Sequence, residues 1–127
     1  MLYSYDYSAD YSPSMPMSEI MIGRARGSPA LAVHAIVDSG ADATMIPVQY
    51  LKQIGARRGK QVIIRSYLGT RERADQYIIS FQLAHFARTE LRVVGVTQTT
   101  EAVIGRDILN SLIVTLNGLA STVEIVD

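Results

Sequence analysis

Asp38 is the residue best placed to do chemistry in this chain. It ends the apolar run Ala35-Ile36-Val37 and is followed at once by Ser39, Gly40, Ala41, Asp42, Ala43 and Thr44. A carboxylate standing where a buried strand breaks into a tight turn is costly to ionise unless hydrogen bonds support it, so its protonation is open to tuning. That setting suits a general acid or base better than a surface charge. Gly40 is expected to let the turn take backbone angles that a Cβ forbids, and to let other atoms come close. The alternative for Asp38 is a turn residue that caps backbone amides. The histidines offer less: neither His34 nor His85 has a cysteine or carboxylate cluster beside it, so no metal site is expected.

Stepping outward, the elements that must position Asp38 read mainly as strands. Glu19 to Arg26 alternates around Ile20 and Ile22, Gly27-Ser28-Pro29 is a turn, and Ala30 to Val37 is apolar on both faces, as a central strand is. Thr44-Met45-Ile46 is a short strand ended by Pro47. Val48 to Ile54 carries apolar residues at helical spacing and is closed by Gly55. Arg57, Arg58 and Lys60 around Gly59 read as a solvated basic loop. Gln61 to Tyr67 and Ala74 to Ala84 read as a hairpin around residues 68–73, and Glu90 to Thr97 as a further strand. Ala102-Val103-Ile104 enters the core, and Arg106 to Ser111 makes a short helix with Ile108, Leu109 and Leu112 inward. Leu112 to Leu116 and Ala120 to Val126 pair through an Asn117-Gly118 hairpin turn.

Residues 1–18 differ from residues 19–127, which form the single domain. They interleave Tyr3, Tyr5, Tyr7 and Tyr11 with serines and end in Pro13 and Pro16. They read as a flexible or extended tail, or as a segment that packs along the domain or lies in its cleft, because four tyrosines can bury real area.

With 127 residues and 48% apolar content, the chain is one globular domain with a modest core. Twelve basic residues balance twelve acidic ones, so no net charge draws it to nucleic acid or membrane, and the basic cluster lacks the interleaved aromatics of a nucleic-acid site. There is no cysteine, which excludes disulfides and thiolate metal sites and is compatible with a reducing compartment. No apolar run is long enough for a bilayer and no basic-then-apolar leader opens the chain; a cytoplasmic location is the expectation.

Two motifs carry a resemblance. Val37-Asp38-Ser39-Gly40-Ala41-Asp42-Ala43-Thr44 resembles the active-site loop of retropepsin-like (retroviral-type) aspartic proteases, and Val103-Ile104-Gly105-Arg106-Asp107-Ile108-Leu109 resembles the second mark of that family, two apolar residues followed by Gly-Arg-Asp/Asn at the start of a short helix. The order and gap of the two make the signal specific, and it spans roughly residues 19 to 117. It implies an all-β fold with one or two short helices, a closed or partly open β-barrel, and an aspartic endopeptidase that needs no cofactor. It implies Asp38, Ser39 and Gly40 as the catalytic loop, with Ser39 hydrogen-bonding across a dimer axis. Gly40, Ala41 and Asp42 are implied to meet substrate backbone, and Leu68, Gly69 and Thr70 to form the tip of a flap that closes over it. Arg106 is implied to pair with Asp42 bidentately, and Asp107 to brace the loop through Thr44, with Gly105 beside them. Apolar residues at Ile36, Ile46, Leu68 and Ile104 imply apolar side chains flanking the cut.

A single Asp-Ser-Gly in a chain too short for two lobes implies that the second carboxylate comes from another copy, so the expected partners are a second identical subunit and a polypeptide substrate. The last hairpin is expected to add a strand to the sheet between subunits. A catalytically silent dimeric module that binds peptides on the same fold is the alternative.

Overall fold

The computed structural model describes residues 1–65 and 68–127. Ten strands and two short helices follow in order: β1 (Leu2–Asp6), β2 (Met17–Arg24), β3 (Leu31–Val37), β4 (Met45–Pro47), α1 (Val48–Gln53), β5 (Arg57–Arg65), β6 (Arg71–Leu83), β7 (Phe86–Val96), β8 (Ala102–Ile104), α2 (Arg106–Leu109), β9 (Ile113–Asn117) and β10 (Thr122–Val126). The chain is therefore mainly β, as the motifs imply. The strand expected over Gln61 to Tyr67 has its last two positions outside the described residues.

The larger sheet runs β2-β3-β8-β4-β7-β6-β5, and β2 also pairs with β6. That second pairing closes six of the strands into a barrel and leaves β5 attached to β6 alone. Closure removes the free edges that an open sheet exposes. Period-two alternation decides what fills the interior: Ile20 and Ile22 of β2 and Ala35 and Val37 of β3 are buried, with Glu19, Met21, His34 and Ile36 between them more exposed, whereas Ile79, Ser80 and Phe81 of β6 are all buried where Ser80 pairs with Gly23 across the closing β2–β6 seam. β3 is central, but Ala32 and His34 on its outer side are exposed, so it is apolar-buried on one face only. Gly95 on β7 is required for a close approach, since a Cβ there falls 2.5 Å from the Tyr77 ring.

Two parallel pairings position the site. β3 runs parallel to β8, with Val37 opposite Ile104, and β4 runs parallel to β7, with Met45 opposite Val94. The loop joining β3 to β4 and the loop joining β8 to α2 therefore emerge at the same end of the barrel, side by side.

Residues 57–60 are not a loop. Arg57, Arg58, Gly59 and Lys60 open β5, paired to β6 across a bulge between Arg58 and Gln61. The charges are solvated, as expected, but on an edge strand, where they oppose unwanted pairing. Residues 1–18 pack along the domain. β1 pairs antiparallel with β10, and β10 with β9, in a three-stranded sheet whose rungs include Tyr3–Ile125–Val114 and Tyr5–Val123–Leu116. Ile125 and Val123 are fully buried on that face, yet Leu116 on the same face is 54% exposed because β9 is the sheet edge. The β9–β10 connection is longer than a two-residue Asn117-Gly118 turn: it runs over residues 118–121, with Asn117 Oδ1 accepting from Ala120 N–H at 3.0 Å and Ser121 at φ +54°. No helix among the described residues is long and apolar enough to cross a membrane.

Candidate active site

The β3–β8 ladder extends one residue past β3, because Asp38 N–H donates to the Ile104 carbonyl at 3.1 Å. The chain then turns sharply. Asp38 Oδ1 accepts from Gly40 N–H at 2.8 Å, and the Asp38 carbonyl accepts from Ala41 N–H at 3.2 Å. One carboxylate oxygen is thus fixed by its own loop, and Oδ2 has no hydrogen bond among the described residues. Such a seat is a local Asx-type turn, the geometry a short carboxylate favours at a strand end. The role expected of Gly40 is only half met. Its φ is not in the left-handed region; what limits a side chain there is the carboxylate, with a Cβ falling 3.1 Å from Asp38 Oδ1.

Two residues of the second motif hold this loop. Arg106 N–H donates to the Ala41 carbonyl at 2.8 Å, Nη1 donates to the Ser39 carbonyl at 2.7 Å, and Nη2 contacts Asp42 Oδ1. The fork is therefore split between a carbonyl and a carboxylate, where a bidentate grip on Asp42 was expected. Asp42 is 89% exposed, so the charge attraction itself is small and the gain is positional. Asp107 grips the far end of the loop: its Oδ2 accepts from Thr44 N–H at 3.0 Å and its Oδ1 from the Thr44 hydroxyl at 2.8 Å. The same hydroxyl oxygen accepts from Gly105 N–H at 3.2 Å. Thr44 is fully buried, so these are hydrogen bonds that water cannot replace. Gly105 has no room for a side chain, since a Cβ there would lie 2.7 Å from the Ala43 carbonyl group and 2.9 Å from the Ala41 oxygen.

A cleft of about 440 Å³ opens beside this loop. Gly40, Ala41 and Asp42 form one wall and Val62 to Arg65 of β5 the other, with Met45 at its base. A larger hollow of about 610 Å³ lies under the β5–β6 hairpin and shares Met45 and Ile64 with the first, but holds none of the residues from Asp38 to Thr44. The structure thus brings Asp38, Ser39, Gly40, Ala41, Asp42, Thr44, Gly105, Arg106 and Asp107 together. It does not bring Leu68, Gly69 and Thr70 onto the cleft: they lie in the turn between β5 and β6, where Leu68 is 90% exposed and Gly69, at φ +88°, has no atom near its Cβ position. The wall comes instead from Val62 and Ile64, and from Gln76, which sequence reasoning missed; Val62 and Ile64 share a face by simple alternation, which was the available signal. Ile46 and Ile104 are fully buried in the barrel, so they cannot line a pocket as expected. Ile36 remains partly exposed.

Comparison with known proteins agrees with this geometry. Residues 12–117 match the profile of the retroviral aspartyl protease family. No curated protein sequence matches the chain. In fold it is similar to a retropepsin-like aspartic protease from Rickettsia conorii, with TM-score 0.67 and 11% identity over 100% of this chain and 94% of that one. It is similar also to the EIAV protease complexed with the inhibitor HBY-793, with TM-score 0.58 and 16% identity over 84% and 93% of the two chains. The retroviral protease-like domain of Ddi1 from Leishmania major follows, with TM-score 0.51 and 18% identity over 83% and 82%. At these identities the likeness is one of fold, whereas the profile match spans most of the sequence. On that match, laid over a barrel that seats both motifs side by side, the chain belongs to the retroviral aspartyl protease family.

Proposed function

We propose that this chain is an aspartic endopeptidase acting as a symmetric homodimer. The observation that carries the reading is the seat of Asp38: a carboxylate at the mouth of a buried strand, with Oδ1 held by Gly40 N–H and Oδ2 left to react. Two copies of Asp38 facing each other across a two-fold axis form the catalytic pair. At ~4 Å apart, two ionised carboxylates repel by roughly 4 kcal/mol at an effective dielectric of about 20, which is worth about three pKa units. The pair therefore holds one proton between them. The ionised partner takes a proton from water as its oxygen attacks the scissile carbonyl carbon, and the protonated partner donates to the carbonyl oxygen. As the diol collapses and the C–N bond breaks, the carboxyl that took the water proton gives it to the departing nitrogen and the other carboxylate takes a proton from a diol hydroxyl, so the amine and the acid leave and the pair again holds one proton.

The other residues act on position. Ser39, exposed at the loop apex, reaches across the axis with its hydroxyl. The Gly40 carbonyl and the Asp42 carboxylate engage the backbone of an extended peptide lying in the cleft, and Ala41 packs beside it. The hairpin tip at Leu68, Gly69 and Thr70 closes over the peptide. Thr44, Gly105, Arg106 and Asp107 keep the loop in place while this happens. The subunits join through β9, whose outer backbone edge pairs with no other strand among the described residues and whose Ile113 and Leu116 are 66% and 54% exposed. Pairing β9 with its symmetry mate covers Leu116 and joins two three-stranded sheets.

The test is digestion of an unbiased peptide library from acid to neutral pH, with Asp38→Asn as the control and mass in solution measured for both. Cleavage by the native chain, none by Asp38→Asn, and a dimer in both cases is the expected result. Peptide binding without cleavage at every pH would replace this reading with a silent peptide-binding module.

A further inference from the structure

Residues 7–16 make an excursion that no step above uses. Its base is a bridge in which Ser8 and Met15 exchange backbone hydrogen bonds at 2.8 and 3.0 Å. One side is tied to the catalytic strand, where Val37 N–H, next to Asp38, donates to the Pro16 carbonyl at 3.0 Å. The other side reaches over to the chain entering β8, where the Tyr11 hydroxyl donates to the Glu101 carboxylate. That contact spans 90 residues of sequence.

Alternation places Glu101. Ala35 and Val37 point into the barrel, so His34, Ile36 and Asp38 point the other way; on β8, Ala102 and Ile104 point inward, so Glu101 and Val103 share the outer face. Glu101 and Asp38 therefore stand on one face. Ile36 and Val103, paired in register and both partly exposed, form an apolar step between them. The Glu101 rung lies four strand residues from Asp38, about 13 Å. Among the described residues no basic group pairs with Glu101; the ion pairs lie elsewhere. Glu101 is half-buried. It is steadied by a phenol, and it stands on the face that the Val103–Met45 pairing continues to the cleft beside the Asp38 loop.

We propose that Glu101, positioned by Tyr11, selects substrates carrying a lysine or arginine side chain roughly three residues from the scissile bond, beyond a residue that packs on Ile36 and Val103. The inference rests on the endopeptidase reading and names its substrate class. Tyr11 is a positioning residue: it fixes the carboxylate and leaves its second oxygen to accept the cation.

The peptide-library digest tests it when read as residue frequency at each position around the cut, for the native chain and for Glu101→Gln, Glu101→Lys and Tyr11→Phe, each checked for folding by circular dichroism. The native chain is expected to enrich Lys and Arg at one position by about two- to five-fold, the range of a partly exposed ion pair. Glu101→Gln loses that enrichment, and Glu101→Lys replaces it with Asp and Glu at the same position, a reversal that a merely structural role does not produce. Tyr11→Phe weakens the enrichment through KM for basic peptides, with kcat held. A native profile with no basic preference, or one that Glu101→Gln and Glu101→Lys leave unchanged, overturns this proposal while the endopeptidase reading stands. No cleavage of any peptide by the native chain overturns both.

Discussion

Replacing Thr44 by valine isolates the clip that holds the Asp38 loop. Valine keeps the branched shape and volume, so packing around this fully buried position is preserved. What is lost is the hydroxyl, which donates to Asp107 Oδ1 at 2.8 Å and accepts from Gly105 N–H at 3.2 Å. A hydrogen bond to a charged acceptor contributes about 1.5 to 3 kcal/mol, and a buried N–H left unpaired costs about 1 to 3 kcal/mol. The backbone bond from Thr44 N–H to Asp107 Oδ2 survives, so we expect a net loss of about 3 kcal/mol. For a domain of this size that lowers Tm by ~10 °C. Thr44→Ser keeps the hydroxyl and gives up one methyl, at about 1 kcal/mol. The assay is urea unfolding of all three proteins at one fixed concentration, since the proposed self-association would couple stability to concentration. Library cleavage is measured alongside, well below each midpoint. Thr44→Val should lose activity beyond its loss of folded fraction, and Thr44→Ser should not. Midpoints for valine and serine that coincide would refute the claim that this hydroxyl, and not the side-chain volume, secures the loop.

Other substitutions probe neighbouring parts. Gly105→Ala forces a Cβ onto the backbone of Ala43 and Ala41 and should destabilise by about 3 kcal/mol or more, read from the same urea curves; a change under about 1 kcal/mol contradicts the close approach. Leu116→Asp places a charge on the β9 edge and should shift the chain toward monomer by light scattering, with cleavage lost in proportion; an unaltered dimer points to a different interface. The Tyr5 phenol is held above its ordinary 10.0 by burial first, and then by Glu19. Its protonated form is the one the fold favours, so the stability it contributes is present below pH 10 and drains away as pH rises through the raised value. Tyr5→Phe should flatten that part of the alkaline unfolding profile, and identical slopes for the two proteins would remove Tyr5 from the account.

Much of the site was legible because its determinants are local or paired by motif. Asp38, Ser39 and Gly40 announce a strand broken by a turn, and the Thr44–Asp107 clip follows once both motifs are seen together. What stayed hidden depends on distant partners. Tyr3, Tyr5 and Tyr7 alternate with Ser4 and Asp6 as a strand does, but nothing in residues 1–18 names β10 as the neighbour that makes them one. The basic residues of β5 look like a loop because their side chains are solvated; the backbone ladder to β6 is what orders them. Ile46 and Ile104 read as pocket residues from hydrophobicity alone, and only the closing of the barrel assigns them to its interior. Gln76 gave no sign at all, since a glutamine in a half-buried strand resembles any other until the opposite wall is built.

The clip between Thr44 and Asp107 joins positions 63 residues apart. During synthesis from the N-terminus, the stretch bearing Asp38 leaves the ribosome long before the residues that anchor it, and contacts of such separation close late. A nascent chain therefore holds Asp38 in an unsecured turn, which is clipped into its final form only when the last third of the polypeptide has arrived.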